Sequence, residues 1–136
     1  MANGEWRVGK MSPIKSYRDL TVWQDAMDLA ESLYRVTSPF PKEEMFGLTS
    51  QIRRAAVSVA ANIAEGHGRE RTQSFIQFLR QSQGSLKELE THLLLAERVG
   101  HLSGKDLTPL LDQCESLGKR LRALIRSLQE RVGKED

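Results

Sequence analysis

Between residues 21 and 132 apolar side chains recur every three or four positions in four separate runs, with Pro or Gly standing between each run and the next. That spacing is the period of an α-helix with one buried face, and no stretch shows the sustained two-residue alternation of a half-buried strand. Such a chain must bury four apolar stripes against one another, so the expected class is all-α. Connections of about three to ten residues favour neighbours that run in opposite directions, which gives an antiparallel up-and-down four-helix bundle.

The first run opens at Thr21-Val22-Trp23-Gln24, whose spacing is that of a capping box, and is expected to end near Val36 or Thr37. Val22, Ala26, Leu29, Leu33 and Val36 form its inward face. Pro39-Phe40-Pro41 then enforces a break. The second helix is expected from Leu48 to Glu65 with Gly66 as the residue that ends it, and Leu48, Ile52, Ala55, Val59 and Ile63 share one face. Thr72 is the expected cap of a third helix that reaches Val99, where Gly100 stops it; its inward row is Phe75, Phe78, Leu79, Ser82, Leu86, Leu89, Leu93 and Ala96. Gly84, in mid-helix, costs roughly 1 kcal/mol relative to Ala, which a close packing contact would offset. The fourth helix has two candidate starts, Ser103 with Asp106 or Thr108 with Pro109. Its seam of Leu110, Cys114, Leu117, Leu121, Leu124, Ile125, Leu128 and Val132 runs to near Arg131.

A length of 136 residues, 39% hydrophobic and 28% charged, suits one domain. Residues 1–15 lack periodicity and are expected to be a flexible leader, 16–132 the bundle and 133–136 a C-terminal tail. The single cysteine, Cys114, excludes an intramolecular disulfide and a multi-cysteine zinc site, and agrees with the cytoplasm. No apolar run approaches the ~20 residues of a membrane span.

Residue sets that carry enzyme chemistry are thin. His67, His92 and His101 have no metal-ligand spacing, so neither metal nor cofactor is expected, and the carboxylate pairs Asp25/Asp28 and Glu88/Glu90 fit solvated helix faces. Cys114 lies on the apolar seam, where it acts as a small core filler. Gly66-His67-Gly68-Arg69 follows a helix rather than a strand, and a helix-ending turn accounts for both glycines. An enzyme is therefore the weakest of three readings.

Charge is more informative, because the net charge of only +2 hides segregation. Residues 53–87 carry Arg53, Arg54, Arg69, Arg71, Arg80 and Lys87 against Glu65 and Glu70. Residues 118–134 carry Lys119, Arg120, Arg122, Arg126, Arg131 and Lys134 against Glu130, while 18–44 and 88–117 are net negative. Arg53, Arg54, Arg69, Arg71, Arg80, Lys87, Arg122 and Arg126 are the candidate contacts to nucleic-acid phosphates. The competing reading is a set of solvated faces whose cations complement helix dipoles and acidic neighbours.

Two helices also carry more apolar surface than a bundle core needs. Trp23, Met27 and Tyr34 flank the inward face of the first, and Val57, Ala60 and Ala64 make a second, small-residue face on the second. An interface between identical subunits would bury these six residues. The competing reading is that they are the wide shoulders of the bundle core.

Several strings are familiar: Asp19-Leu20-Thr21-Val22-Trp23-Gln24, then the run from Phe46-Gly47-Leu48 through Arg53-Arg54-Ala55-Ala56-Val57-Ser58, then Ala61-Asn62-Ile63-Ala64-Glu65-Gly66. Phe75-Ile76-Gln77-Phe78-Leu79 and Gly84-Ser85-Leu86-Lys87-Glu88-Leu89-Glu90-Thr91 continue them. Over about residues 16–131 the chain resembles the small bacterial four-helix-bundle proteins encoded in intervening sequences of 23S ribosomal RNA genes. The resemblance implies a ring-shaped homopentamer. It also implies kinship with the accessory variability determinant proteins of diversity-generating retroelements, which bind a reverse transcriptase and nucleic acid. Gln51, Arg53, Arg54, Asn62, Glu65 and Arg69 occupy family-typical polar positions. The leading expectation is thus a non-enzymatic oligomeric bundle that contacts RNA or DNA, as an accessory to a reverse transcriptase or another nucleic-acid enzyme. The alternative is a homo-oligomeric scaffold for protein partners with no nucleic-acid ligand.

Overall fold

A computed structural model describes residues 6–7 and 13–135, and the side chains of 15–134. Four helices carry the fold: α1 (Thr21–Thr37), α2 (Leu48–His67), α3 (Thr72–Arg98) and α4 (Gly104–Glu135). Ahead of them β1 (Trp6–Arg7) pairs antiparallel with β2 (Pro13–Ile14), inside the segment expected to be an aperiodic leader. Helix α4 continues through Gly133 and Lys134, so the expected tail is largely its last turn.

Cross-helix contacts set the directions. Ser82 Oγ on α3 donates to the Val59 carbonyl on α2 at 2.8 Å, and Ser58 and Ser85 share a 2.8 Å hydrogen bond. Gly66 lies against Phe75 and Phe78. As the α2 number rises the α3 partner's number falls, so the two helices are antiparallel. Helix α4 returns along α3, with Gly118 beside the Leu86 side chain, and α1 packs between α2 and α4. The core is one cluster, with Leu29, Leu33, Ile52, Ile63, Leu79, Leu86, Leu89, Leu93, Leu117, Leu121 and Leu128 buried within it. The inward rows expected from periodicity are buried almost throughout; Val36, Leu48, Phe78, Leu124 and Val132 are half-buried at its margins.

Several local expectations change. Thr21 is not a cap. The capping box lies one turn earlier, where Asp19 Oδ2 accepts from the Ser16 amide at 3.2 Å and Ser16 Oγ from the Arg18 amide at 3.2 Å. This 3-10 turn feeds directly into α1, so Thr21 is already helical, and Gln24 Nε2 donates instead to the Arg18 carbonyl at 2.8 Å. Thr72 likewise is the first helical residue of α3, with Arg71 at the cap position and no side-chain bond there.

Gly66 does not end α2. The helix runs on to His67, and Gly66 is buried because a Cβ there would lie 2.6 Å from the Phe78 Cβ. Close packing, expected at Gly84, is absent there: Gly84 is exposed and a Cβ would meet nothing within 4 Å. Gly100 does stop α3, at φ +87, with its amide donating to the Glu97 carbonyl and that of His101 to Ala96. This is the left-handed ending that glycine adopts without steric strain.

The fourth helix uses the Ser103 start. The hydroxyl of Ser103 accepts from the Asp106 amide at 3.1 Å, and Pro109 falls inside the helix. Pro109 and Lys105, whose carbonyl loses its amide partner, are both exposed, so solvent satisfies the orphaned oxygen.

Candidate nucleic-acid interface

The antiparallel pairing of α3 and α4 decides which cations meet. Leu86 faces Gly118, and the Arg122 guanidinium reaches within 4.0 Å of the position a Gly118 Cβ would take. Because Leu86 lies level with Gly118, Lys87 lies at about the level of Leu117 along α4. Arg80, two turns earlier on α3, therefore falls beside the stretch of α4 that carries Arg122 and Arg126. At 1.5 Å per residue Arg122 and Arg126 are spaced by ~6 Å along α4, and Arg80 and Lys87 by ~10 Å along α3.

All four are exposed. Lys87 pairs with Glu90 at 3.2 Å, and Lys119, on the same face of α4, with Glu115 at 3.3 Å. The Lys119–Glu115 pair is largely solvated and contributes little to stability, whereas Glu90 is mostly covered and only its Lys87 partner is open to solvent. Among the described residues no carboxylate pairs with Arg80, Arg122 or Arg126. The face thus keeps a positive excess although the chain as a whole is nearly neutral.

The other predicted phosphate contacts lie elsewhere. Arg69 pairs with Glu65 at 3.1 Å and lies over the Phe78 ring at 4.9 Å, so its charge is already engaged. Arg71 is exposed at the α2–α3 corner, the end of the bundle that also holds the C-terminal part of α4. Arg53 is turned inward: Nε donates to Thr37 Oγ1 at 2.9 Å, Nη2 to the Tyr34 carbonyl at 3.2 Å, and the guanidinium stacks 4.5 Å from the Tyr34 ring. It fastens α2 to the end of α1, a task that spacing alone does not reveal. Arg54, its neighbour in sequence, is exposed and borders the same surface as Arg53 and Phe46.

The six residues of the expected oligomer interface line one groove of about 450 Å³ between α1 and α2. Met27, Tyr34 and Val57 are 45–46% exposed. Trp23 is half-buried, edge-on to Tyr17 with ring centroids 5.2 Å apart, and Ala64 is half-buried too. Ala60 departs from the expectation. It is only 4% exposed because α1 of the same chain covers it, so its small side chain admits an intramolecular neighbour and leaves little surface for a second subunit.

Sequence periodicity missed Met45 and Phe46, 56% and 91% exposed, just before α2. They follow the Pro41 turn and precede Gly47, outside any helical repeat, so no core-facing pattern flags them. A third α1-side feature is acidic: Asp25, Asp28 and Asp112 gather around Arg120 between α1 and α4, with Arg120 paired to Asp25. Among the described residues no group of three or more His, Cys, Asp or Glu could hold a metal ion, and no helix is long and apolar enough to cross a membrane. Cys114 is buried, and desolvation pushes its thiol up to about 12.

These features define an up-and-down four-helix bundle with a basic α3–α4 face, an acidic α1–α4 face and an open apolar groove on α1 and α2. The model of the 23S rRNA-intervening sequence protein family matches residues 18–123, and the chain belongs to that family. A crystal structure of a protein with unknown function, from the S23 ribosomal protein family of Bacteroides thetaiotaomicron, is similar in fold. It covers 77% of this chain and 98% of its own, with a TM-score of 0.70 and 21% identity. Among curated proteins nothing matches.

Proposed function

We propose that this protein is a non-catalytic, self-associating bundle of the cytoplasm that holds nucleic acid against its α3–α4 face. What supports the reading is the exposure of Arg80, Arg122 and Arg126 without carboxylate partners among the described residues, at levels of α3 and α4 that the Leu86–Gly118 contact sets side by side, with Lys87 and Lys119 on the same helices. Guanidinium groups spaced by about one helical turn suit a row of phosphates, and the acidic residues around Arg120 repel the same polyanion from the α1–α4 side. Copies meet through the α1–α2 groove, where Met27, Tyr34 and Val57 stand exposed. A homopentamer is the assembly that the family resemblance implies. An accessory role beside a reverse transcriptase or another nucleic-acid enzyme suits a protein that grips a backbone without reading bases.

The test is binding of a structured RNA and a duplex DNA across a salt series, with light scattering and an absorbance ratio on the same samples. Each phosphate contact contributes ~0.9 to the slope of log K against log salt. Arg80→Glu, Arg122→Glu and Arg126→Glu together are expected to flatten the slope by about 3 per engaged protomer. An unchanged slope refutes the α3–α4 assignment, and a particle that stays monomeric at high concentration refutes the groove. The exposed apolar residues of α1 and α2 favour one second reading, a scaffold that binds protein alone; salt-insensitive protein capture with no nucleic-acid binding supports it.

A further inference from the structure

Next to the α1–α2 groove, at the start of α2, lies a broader depression of about 620 Å³ whose walls differ in chemistry from the groove. Arg53, Arg54, Ser50, Ser58, Tyr34 and Phe46 contribute to it, and no carboxylate does. Phe46 is 91% exposed, which for an aromatic side chain leaves both ring faces without a partner. Arg54 is exposed and joins no ion pair among the described residues, whereas Arg53 spends Nε and Nη2 on Thr37 and Tyr34 and keeps Nη1. At the start of α2 the Leu48 amide is already taken by Glu44 Oε1 at 3.1 Å, and Arg54 supplies the free positive charge of the depression.

A flat π surface, a fixed guanidinium stacked on Tyr34, a free guanidinium and the Ser50 hydroxyl in one depression match a ligand that joins a planar ring to an anion. We infer that this depression binds one unpaired nucleotide, its base stacked on Phe46 and its phosphate on Arg54, with Ser50 near the sugar. Stacking on an exposed aromatic tolerates every base, so the site selects for an unstacked base and not for a sequence. The α3–α4 face has no aromatic residue among its cations and offers only phosphate contacts. The two sites therefore do different work on different helices of the bundle, and this inference stands whether or not that face binds a duplex.

The same chemistry comes from a free nucleotide or from a nucleotide within a single strand. The probes are 2-aminopurine riboside monophosphate, whose fluorescence falls on stacking, the unphosphorylated riboside, and a trinucleotide with 2-aminopurine at its centre, each titrated with the full-length protein. Quenching by the monophosphate is expected. Phe46→Ala, which removes no core contact, is expected to abolish the quench and weaken binding by about tenfold or more. Arg54→Gln is expected to weaken the monophosphate several-fold and leave the riboside unchanged, and the Arg80/Arg122/Arg126 triple Glu variant is expected to bind the monophosphate normally. A trinucleotide that binds more tightly than the monophosphate assigns the site to single strands, and equal affinity assigns it to free nucleotides. Absence of quenching, undiminished binding by Phe46→Ala, or a change of particle mass in Phe46→Ala that makes this residue a subunit contact would each overturn the inference.

Discussion

Gly66 and Gly84 both lie inside continuous helices, and the structure predicts that adding the same methyl group to each has opposite effects. At Gly84 the new Cβ meets nothing within 4 Å, and the position is exposed. Gly84→Ala therefore collects the helix propensity difference, about 1 kcal/mol of stabilisation. At Gly66 the same propensity gain is opposed by contact with the Phe78 Cβ at 2.6 Å and Phe75 Cδ1 at 3.0 Å. A Cβ is anchored to its backbone, so relief requires α2 and α3 to move apart, not a side chain to rotate. Overpacking of this kind costs ~1–3 kcal/mol, and the anchored obstacle argues for the upper end. Net destabilisation is then about 2 kcal/mol, and the two variants should differ by roughly 3 kcal/mol. For a chain of this size each kcal/mol moves Tm by about 3–5 °C. Urea and thermal unfolding followed by circular dichroism, at one protomer concentration so that self-association cancels, would read the difference. A Gly66→Ala variant as stable as Gly84→Ala would refute the packing account of Gly66.

Three further outcomes follow from buried or linked groups. Cys114, with its thiol at about 12, should resist thiol reagents at pH 8 in the native state and react only when denaturant opens the bundle; rapid native labelling would contradict its burial. Glu44 accepts the Leu48 amide and lies 3.0 Å from His101 Nε2, and these contacts lower its pKa from the usual 4.5. A depressed carboxylate stabilises the fold above its unfolded pKa and loses that effect as pH falls through the folded value. The urea midpoint of Glu44→Gln should thus trail wild type at pH 6 and converge with it toward pH 3; a gap independent of pH would exclude the charge. Ser82→Ala removes a buried hydroxyl whose acceptor, the Val59 carbonyl, also belongs to the α2 ladder, so the loss is expected near 1 kcal/mol by urea unfolding. A loss above 3 kcal/mol would mean that the carbonyl depends on that hydroxyl.

Periodicity carried most of the architecture. The rows from Val22 to Leu33 and from Phe75 to Ala96, and the α4 seam, are buried as their spacing demands except at the half-buried Phe78, Leu124 and Val132, because a helix has few other ways to hide a stripe of leucines. Ends were harder to read. Ser16/Asp19 and Thr21/Gln24 both have capping-box spacing, and only the 3-10 turn between them decides which one is used. A glycine's purpose was also illegible, since Gly66 and Gly84 differ only in what the neighbouring helix brings near. Charge segregation along the chain pointed to α3 and α4, but the fate of each arginine depended on partners distant in sequence: Thr37 and Tyr34 take up Arg53, while nothing comparable reaches Arg54. Phe46 escaped notice as a surface group because it stands between the Pro41 turn and Gly47, outside any helical repeat that would mark it as inward or outward.

The serines between α2 and α3 have a mechanical consequence. Leucine and alanine ridges are alike from one turn to the next and would tolerate a slip of one helix along the other. The Ser82–Val59 and Ser58–Ser85 bonds exist at one axial setting alone and act as a detent against that slip. Across the opposite seam, α1 is joined to α4 at its polar margin by the half-buried Arg120–Asp25 pair, which leaves Arg120 Nε without a hydrogen-bond partner among the described residues. Any breathing of the bundle should therefore part α1 from α4 first and leave the α2–α3 pair as the rigid keel.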